Sequence, residues 1–208
     1  MTTKTQTLQI PVEFGAATRT LPGQNESGDK YIVQPYEGGV LIGVVDGLGH
    51  GSEAALAADL AVKTLQDHAG EPVIALLKTC DAELRGTRGA VMCLAAVNSI
   101  DDRITWIGVG NVEAVLLRSD RRSNPPREHV LLRGGVVGYN LPALQASSTP
   151  IAKGDLLIFT TDGIHGGIAG DYNENDSAQQ IADRICTKYL KGTDDALALV
   201  VRYGKAIQ

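Results

Sequence analysis

Three acidic motifs lie far apart in this chain yet share one kind of setting. Asp46-Gly47 closes the apolar run Val40-Leu-Ile-Gly-Val-Val45, and Asp162-Gly163 closes Leu156-Leu-Ile-Phe-Thr-Thr161. Asp194-Asp195 is the reverse case, opening the apolar run Ala-Leu-Ala-Leu-Val-Val. In an antiparallel sheet the start of one strand lies beside the ends of its neighbours, so Asp46, Asp162 and Asp194 can meet at one edge. Two carboxylates about 4 Å apart at an effective dielectric near 20 repel by about 4 kcal/mol. Three such pairs approach the roughly 5–15 kcal/mol that stabilises a whole domain. Cations must then offset the repulsion. Carboxylate and backbone carbonyl oxygens are hard ligands that match Mg²⁺ or Mn²⁺ rather than zinc. Taken singly, each Asp-Gly is equally a turn signal, since both residues suit turn geometry.

The segment after Asp46, Gly-Leu-Gly-His-Gly-Ser52, runs directly into an alanine-rich stretch. Gly47 and Gly49 let the backbone turn sharply and bring a carbonyl close to an ion. The helix start nearby offers N–H groups to a phosphate. The same loop imitates part of a dinucleotide fingerprint, with Ser52 where the last small residue belongs. A second helical pattern follows where that fold needs a parallel strand, which disfavours the reading. No G-x-S-x-G elbow, P-loop or HExxH is present. His50 and His165 follow an Asp-Gly within three residues, so each is either a neighbour of the acidic cluster or an ordinary loop residue. His68 and His129 read as surface residues. Cys80, Cys93 and Cys186 have no CxxC spacing and read as small buried hydrophobes in a reducing compartment.

The elements that must position these residues follow from periodicity. Strands are expected near Leu8–Phe14, Lys30–Pro35, Val40–Val45, Ala90–Val97, Ile104–Val109, Ala114–Leu117, Asp155–Thr161 and Ala196–Arg202. Shorter ones are expected at His129–Leu132 and Leu144–Ser148, and Asp101-Asp102 supplies a hairpin turn. Helices fit Glu53–Asp67, Pro72–Leu84 and Ala178–Leu190. The polar stretch Arg118–Arg127 reads as a surface loop. Strict alternation of strand and helix is absent, which predicts an α+β sandwich of antiparallel sheets with helices packed on them.

The chain has 208 residues, 43% hydrophobic and 21% charged, which excludes a disordered protein and fits a single domain over 1–208. A net charge of −5 disfavours a role in binding nucleic acid. Glycine is abundant at 24 residues and aromatics make up only 4%, as expected for many tight turns around an aliphatic core. The first residues lack an apolar signal segment, and no run approaches the roughly 18 apolar residues of a membrane span. A cytoplasmic protein without a membrane partner is expected. No sustained heptad pattern is present, so the expected state is a monomer.

In this order, Asp46-Gly-Leu-Gly-His-Gly, Thr161-Asp162-Gly163 and Asp194-Asp195 resemble the metal-dependent PPM (PP2C-like) Ser/Thr phosphatases. More closely they resemble the bacterial branch of sporulation and stress-response phosphatases, most of all the stressosome feedback type. Ser27-Gly28-Asp29, Val109-Gly110-Asn111 and the strand leading to Thr161 also fit, so the resemblance spans Ser27 to Arg202. It implies an α-β-β-α sandwich, two antiparallel sheets flanked by helices, with a binuclear metal site at one end. By the family pattern Asp46 bridges two Mn²⁺ or Mg²⁺ ions, the Gly47 carbonyl binds one, Asp162 and Asp194 hold the other, and Asp29 lies in an outer position. The implied reaction is in-line attack on phosphoserine or phosphothreonine by a water that the two ions activate. The implied substrates are phosphorylated STAS-domain scaffold proteins of a stressosome.

Three positions depart from the family. Eukaryotic members carry a proposed general-acid His where this chain has Leu48; His50 is a candidate substitute, and a metal-bound water is the alternative. An Asp associated with a third ion is Asn111 here, which disfavours a tight third site. The N-terminal phosphate-binding Arg has no clear counterpart, Arg19 being a positional match only. The alternative expectation, from a different class, is a degenerate binding module of the same fold without catalysis.

Overall fold

The computed structural model describes residues 12–204, apart from 121, 167–172 and 174. Eleven strands and three helices follow one another among the described residues. Strands β1 (Val12–Arg19), β2 (Asp29–Tyr36) and β3 (Gly39–Gly47) precede helices α1 (Ser52–Asp67) and α2 (Val73–Glu83). Next come β4 (Ala90–Asn98), β5 (Arg103–Val109), β6 (Glu113–Leu117), β7 (Arg127–His129), β8 (Leu132–Arg133), β9 (Ser147–Pro150) and β10 (Leu156–Thr160). Helix α3 (Ala178–Lys188) and strand β11 (Ala196–Tyr203) complete the chain.

The strands form two sheets, one in the order β1-β11-β10-β6-β7 and the other β2-β3-β4-β5-β8, with β9 on the free part of β5. All pairings are antiparallel except the short parallel contact of β5 with β8. Residues that alternate along the strands face each other between the sheets, where Ile42, Val44, Trp106, Leu116, Phe159 and Leu199 form the central core. The opposite face of the second sheet is covered by α1 and α2, and that of the first by α3. This is the α+β sandwich that element order predicts.

Each helix shows why it forms where it does. Helix α1 buries Ala54, Ala57, Ala58, Ala61 and Leu65, and a stripe of small residues lets its axis lie close to the sheet. Helix α3 opens on a capping box, the Ser177 side chain accepting from the Gln180 N–H while the Gln180 side chain accepts from the Ser177 N–H.

Three expected elements differ. The segment expected as one strand, His129–Leu132, is divided: β7 pairs with β6 in one sheet and β8 with β5 in the other, so the chain crosses between sheets at Val130-Leu131. The strand expected at Leu144–Ser148 is displaced to Ser147–Pro150, where its register with β5 joins Arg103 to Pro150. The first strand runs Val12–Arg19, and residues 8–11 of the expected one lie outside the described residues. The loop after β6 is exposed, but its first residue is anchored. Arg118 donates to Asp155 Oδ2 at 3.0 Å and to the Pro150 carbonyl at 2.7 Å, and it also pairs with Glu128. No described helix is long and apolar enough to cross a membrane.

Candidate metal centre

The register of the sheets brings the acidic motifs together. In β2–β3 pairing Asp29 lies directly opposite Asp46, the last residue but one of β3. On the other sheet β10 and β11 are antiparallel neighbours, so Asp162, just past the end of β10, comes near Asp194, just before β11. Asp46, Asp162 and Asp194 all line one cleft of about 320 Å³ at this end of the sandwich. Leu48, Gly49, Val91, Gly110, Asn111, Gly134 and Val136 form the rest of its wall.

Close approach explains the glycine of both Asp-Gly pairs. A Cβ on Gly47 would lie 2.1 Å from the Ala54 carbonyl of α1, and a Cβ on Gly163 would lie 2.0 Å from the Asp195 carbonyl. Only glycine fits at either place, so these dipeptides are packing contacts that hold the acids at the cleft.

Behind the cleft a hydrogen-bonded network joins the two sheets. The Thr161 hydroxyl donates to Asp29 Oδ2 at 2.7 Å and accepts from the Leu197 N–H at 2.8 Å. Asp195, fully buried, accepts from the N–H groups of Leu21 and Gly28, both at 2.7 Å, and so holds the loop between β1 and β2 against the start of β11. The Asn111 amide donates to Asp162 Oδ2 at 2.8 Å and orients that carboxylate.

The electrostatics fit hard cations. Burial, together with the charges of Asp29, Asp162, Asp194 and Asp195, pushes the Asp46 carboxyl up to about 8. Burial also pushes Asp29 up to about 7; the Thr161 hydrogen bond pulls it down, and the neighbouring acids add to the rise. Among the described residues no lysine or arginine lines the cleft to neutralise these groups. No three His, Cys, Asp or Glu side chains among the described residues are gathered closely enough to hold a metal ion as they stand, so the fit is judged from the chemistry of the donors. The donor set of carboxylate oxygens therefore fits the ions that the sequence implies.

The other expected residues fall as follows. Asp29 and Gly47 are both buried, and neither belongs to the cleft wall. Leu48 lines the cleft, whereas His50 is exposed and does not. His165 is also exposed. Arg19 ends β1 with its guanidinium on the Thr18 carbonyl, away from the cleft wall. Thr161 and Asp195 were not singled out by sequence reasoning as supporting residues.

Comparison with known proteins bears on the fold and the family. Residues 36–204 match the family model of stage II sporulation protein E (SpoIIE). Phosphoserine phosphatase RsbX of Bacillus subtilis (strain 168) is 23% identical over 164 residues, 78% of this chain and 80% of that protein. A chain solved in work on the bacterial stressosome, as a modular system adapted to control secondary messenger signalling, is 31% identical with a TM-score of 0.84. The match covers 92% of this chain and 99% of that one. RsbX in complex with magnesium has the same fold, with a TM-score of 0.81 at 20% identity over 92% of this chain and 95% of that one. With well over half of its length inside the family match and its sandwich shared with these relatives, the protein belongs to the SpoIIE family of PP2C-type phosphatases.

Proposed function

We propose that this protein is a Mg²⁺- or Mn²⁺-dependent phosphatase of phosphoserine and phosphothreonine, acting as a cytoplasmic monomer on phosphorylated STAS-domain proteins of a stressosome. The observation that carries the activity is the convergence of Asp46, Asp162 and Asp194 on one cleft that, among the described residues, is lined by no Lys or Arg. The substrate class is supported by the relatives: one is named a phosphoserine phosphatase and another was solved in work on the stressosome.

Asp46, Asp162, Asp194 and the Gly47 carbonyl would hold two ions, with Asp29 behind them. When bound, such ions supply a water nucleophile of lowered pKa and neutralise charge growing on the phosphoryl oxygens. The chain's own residues do the positioning. Thr161 fixes Asp29 opposite Asp46, and Asn111 fixes the Asp162 carboxylate through its amide N–H. That amide offers a neutral oxygen where a carboxylate would hold a third ion. Leu48, Val91 and Val136 make the apolar side of the cleft, which limits the water reaching the phosphoryl group. Among the described residues no histidine lines the cleft, and we assign the proton of the departing seryl oxygen to water in preference to His50.

The test is phosphate release from a phosphorylated STAS-domain scaffold protein with Mn²⁺ or Mg²⁺, for the native chain and for Asp46→Asn and Asp162→Asn. Turnover should fall by about 100-fold or more in both variants, since each removes a charged oxygen from the ion site. Unchanged turnover in both would overturn the assignment of the site. Hydrolysis of a small aryl phosphate with none of the scaffold would overturn the substrate class alone.

A further inference from the structure

A substrate of this cleft carries a phosphoryl dianion into a site walled by three carboxylates, and the described wall residues include no Lys or Arg. Arg88 is outside that wall but lies against one of its residues. The loop before β4 hydrogen-bonds to the chain after β3, the Leu48 N–H donating to the Gly89 carbonyl at 3.1 Å. This brings Arg88 over Gly49, a residue of the cleft wall. Arg88 Nη1 lies 2.7 Å from the point a Cβ on Gly49 would occupy, and Gly49 takes a positive φ of 87°. Any side chain at position 49 would displace the guanidinium. On the other side the same loop is packed against the wall residue Val136, whose Cγ1 lies 2.8 Å from a Cβ placed on Gly89.

Arg88 is not committed to the fold. Its side chain is 46% exposed, and its ion-pair partner, Glu53 in the first turn of α1, is 68% exposed. Exposed pairs of this kind contribute little to stability, so exchanging Glu53 for a better anion costs little. A guanidinium offers a planar fork of donors that matches two phosphoryl oxygens at once. Arg133, next to the wall residue Gly134, has a different outlook: it lines an adjoining cleft and donates to Gln145 Oε1.

We infer that Arg88 is the residue that receives the phosphoryl oxygens of the substrate, released from Glu53 as the phosphate enters over Gly49. The inference rests on the phosphatase reading, and its test is read from binding rather than turnover. Inorganic phosphate is titrated calorimetrically into the native chain and into Arg88→Ala, Arg88→Lys, Glu53→Gln and Arg133→Ala, each with saturating Mg²⁺, and Mg²⁺ affinity is measured separately. Arg88→Ala should weaken phosphate binding at least about 10-fold, the scale of a charge-assisted hydrogen bond, with Mg²⁺ affinity within about 2-fold. Arg88→Lys should restore part of the loss, because it keeps the charge and loses the fork. Glu53→Gln should tighten binding, and Arg133→Ala should leave it within about 2-fold. Equal phosphate affinity in native and Arg88→Ala proteins overturns the inference, as does a loss in Arg133→Ala as large as that in Arg88→Ala. Failure of the phosphatase reading shows up elsewhere, as absent metal-dependent turnover in the native chain.

Discussion

Replacing Thr161 by valine should destabilise the protein by about 3 kcal/mol, although the two side chains have nearly the same shape. Thr161 is 2% exposed, so solvent cannot replace what is lost. Its hydroxyl makes two bonds, one donated to Asp29 Oδ2 and one accepted from the Leu197 N–H. The backbone pairing of the Thr161 N–H with the Leu197 carbonyl, at 3.1 Å, survives the change and keeps the strands in register. Losing a hydrogen bond to a carboxylate costs about 1.5–3 kcal/mol, and stranding a buried N–H costs about 1–3 kcal/mol. Relaxation recovers part of the sum, which leaves about 3 kcal/mol. For a domain of this size that lowers the melting temperature by about 6–12 °C. Thr161→Ser keeps the hydroxyl and gives up one methyl group, so about 1 kcal/mol is expected. Urea unfolding of the two variants, followed by the Trp106 fluorescence, reads the difference directly. A Thr161→Val protein as stable as Thr161→Ser would refute the reasoning, because the hydroxyl would then not be what ties the sheets together. In a double-mutant cycle with Asp29→Asn, Thr161→Val should lose part of its effect, since the two side chains share one bond.

The ion-free protein should become less stable relative to Asp46→Asn as pH rises from about 4 to about 8. Its Asp46 carboxyl goes from an ordinary 3.8 to about 8 on folding, so the folded state binds more protons than the unfolded one in that window. Urea midpoints of both proteins in chelator at pH 5 and pH 8 test the sign, and a gap that narrows with pH would contradict it; saturating Mg²⁺ should close the gap at pH 8. Gly47→Ala and Gly163→Ala should each cost more than about 2 kcal/mol and depress turnover, since the added carbon meets backbone at 2.1 and 2.0 Å; thermal melts check this. Asp155→Ala should be among the most damaging changes at the far end of the sandwich, at about 3–5 kcal/mol. Its buried carboxylate accepts from Arg118, the Ser119 hydroxyl and the N–H groups of Ser119 and Ala152. Calorimetric melting would expose the error if the loss were under about 1 kcal/mol.

The sandwich was legible because period and length agree along most of the chain. Val40–Val45 and Ala90–Val97 are continuous apolar runs, as expected of strands buried on both faces, and they pair as β3 and β4. The failures share a different cause. At His129–Leu132 the alternation is that of one strand, but the sheets compete for its two ends, and pairing with β6 and β5 divides it. Only tertiary pairing decides such a case. The three cleft acids could be placed because each sits where an apolar run stops, and a carboxylate there has few places to go. The supporting residues were hidden for a reason that a doublet such as Asp194-Asp195 partly betrays. Successive side chains at a strand's start point to opposite faces, so when Asp194 lines the cleft, Asp195 must turn away from it. A carboxylate turned inward needs donors, and these come from Leu21 and Gly28, more than 160 residues earlier in the chain. Nothing in the local pattern of that early loop marks it as the partner. Spacing can therefore locate the charges of such a centre, while the groups that hold those charges in place are set by the packing of one sheet upon the other.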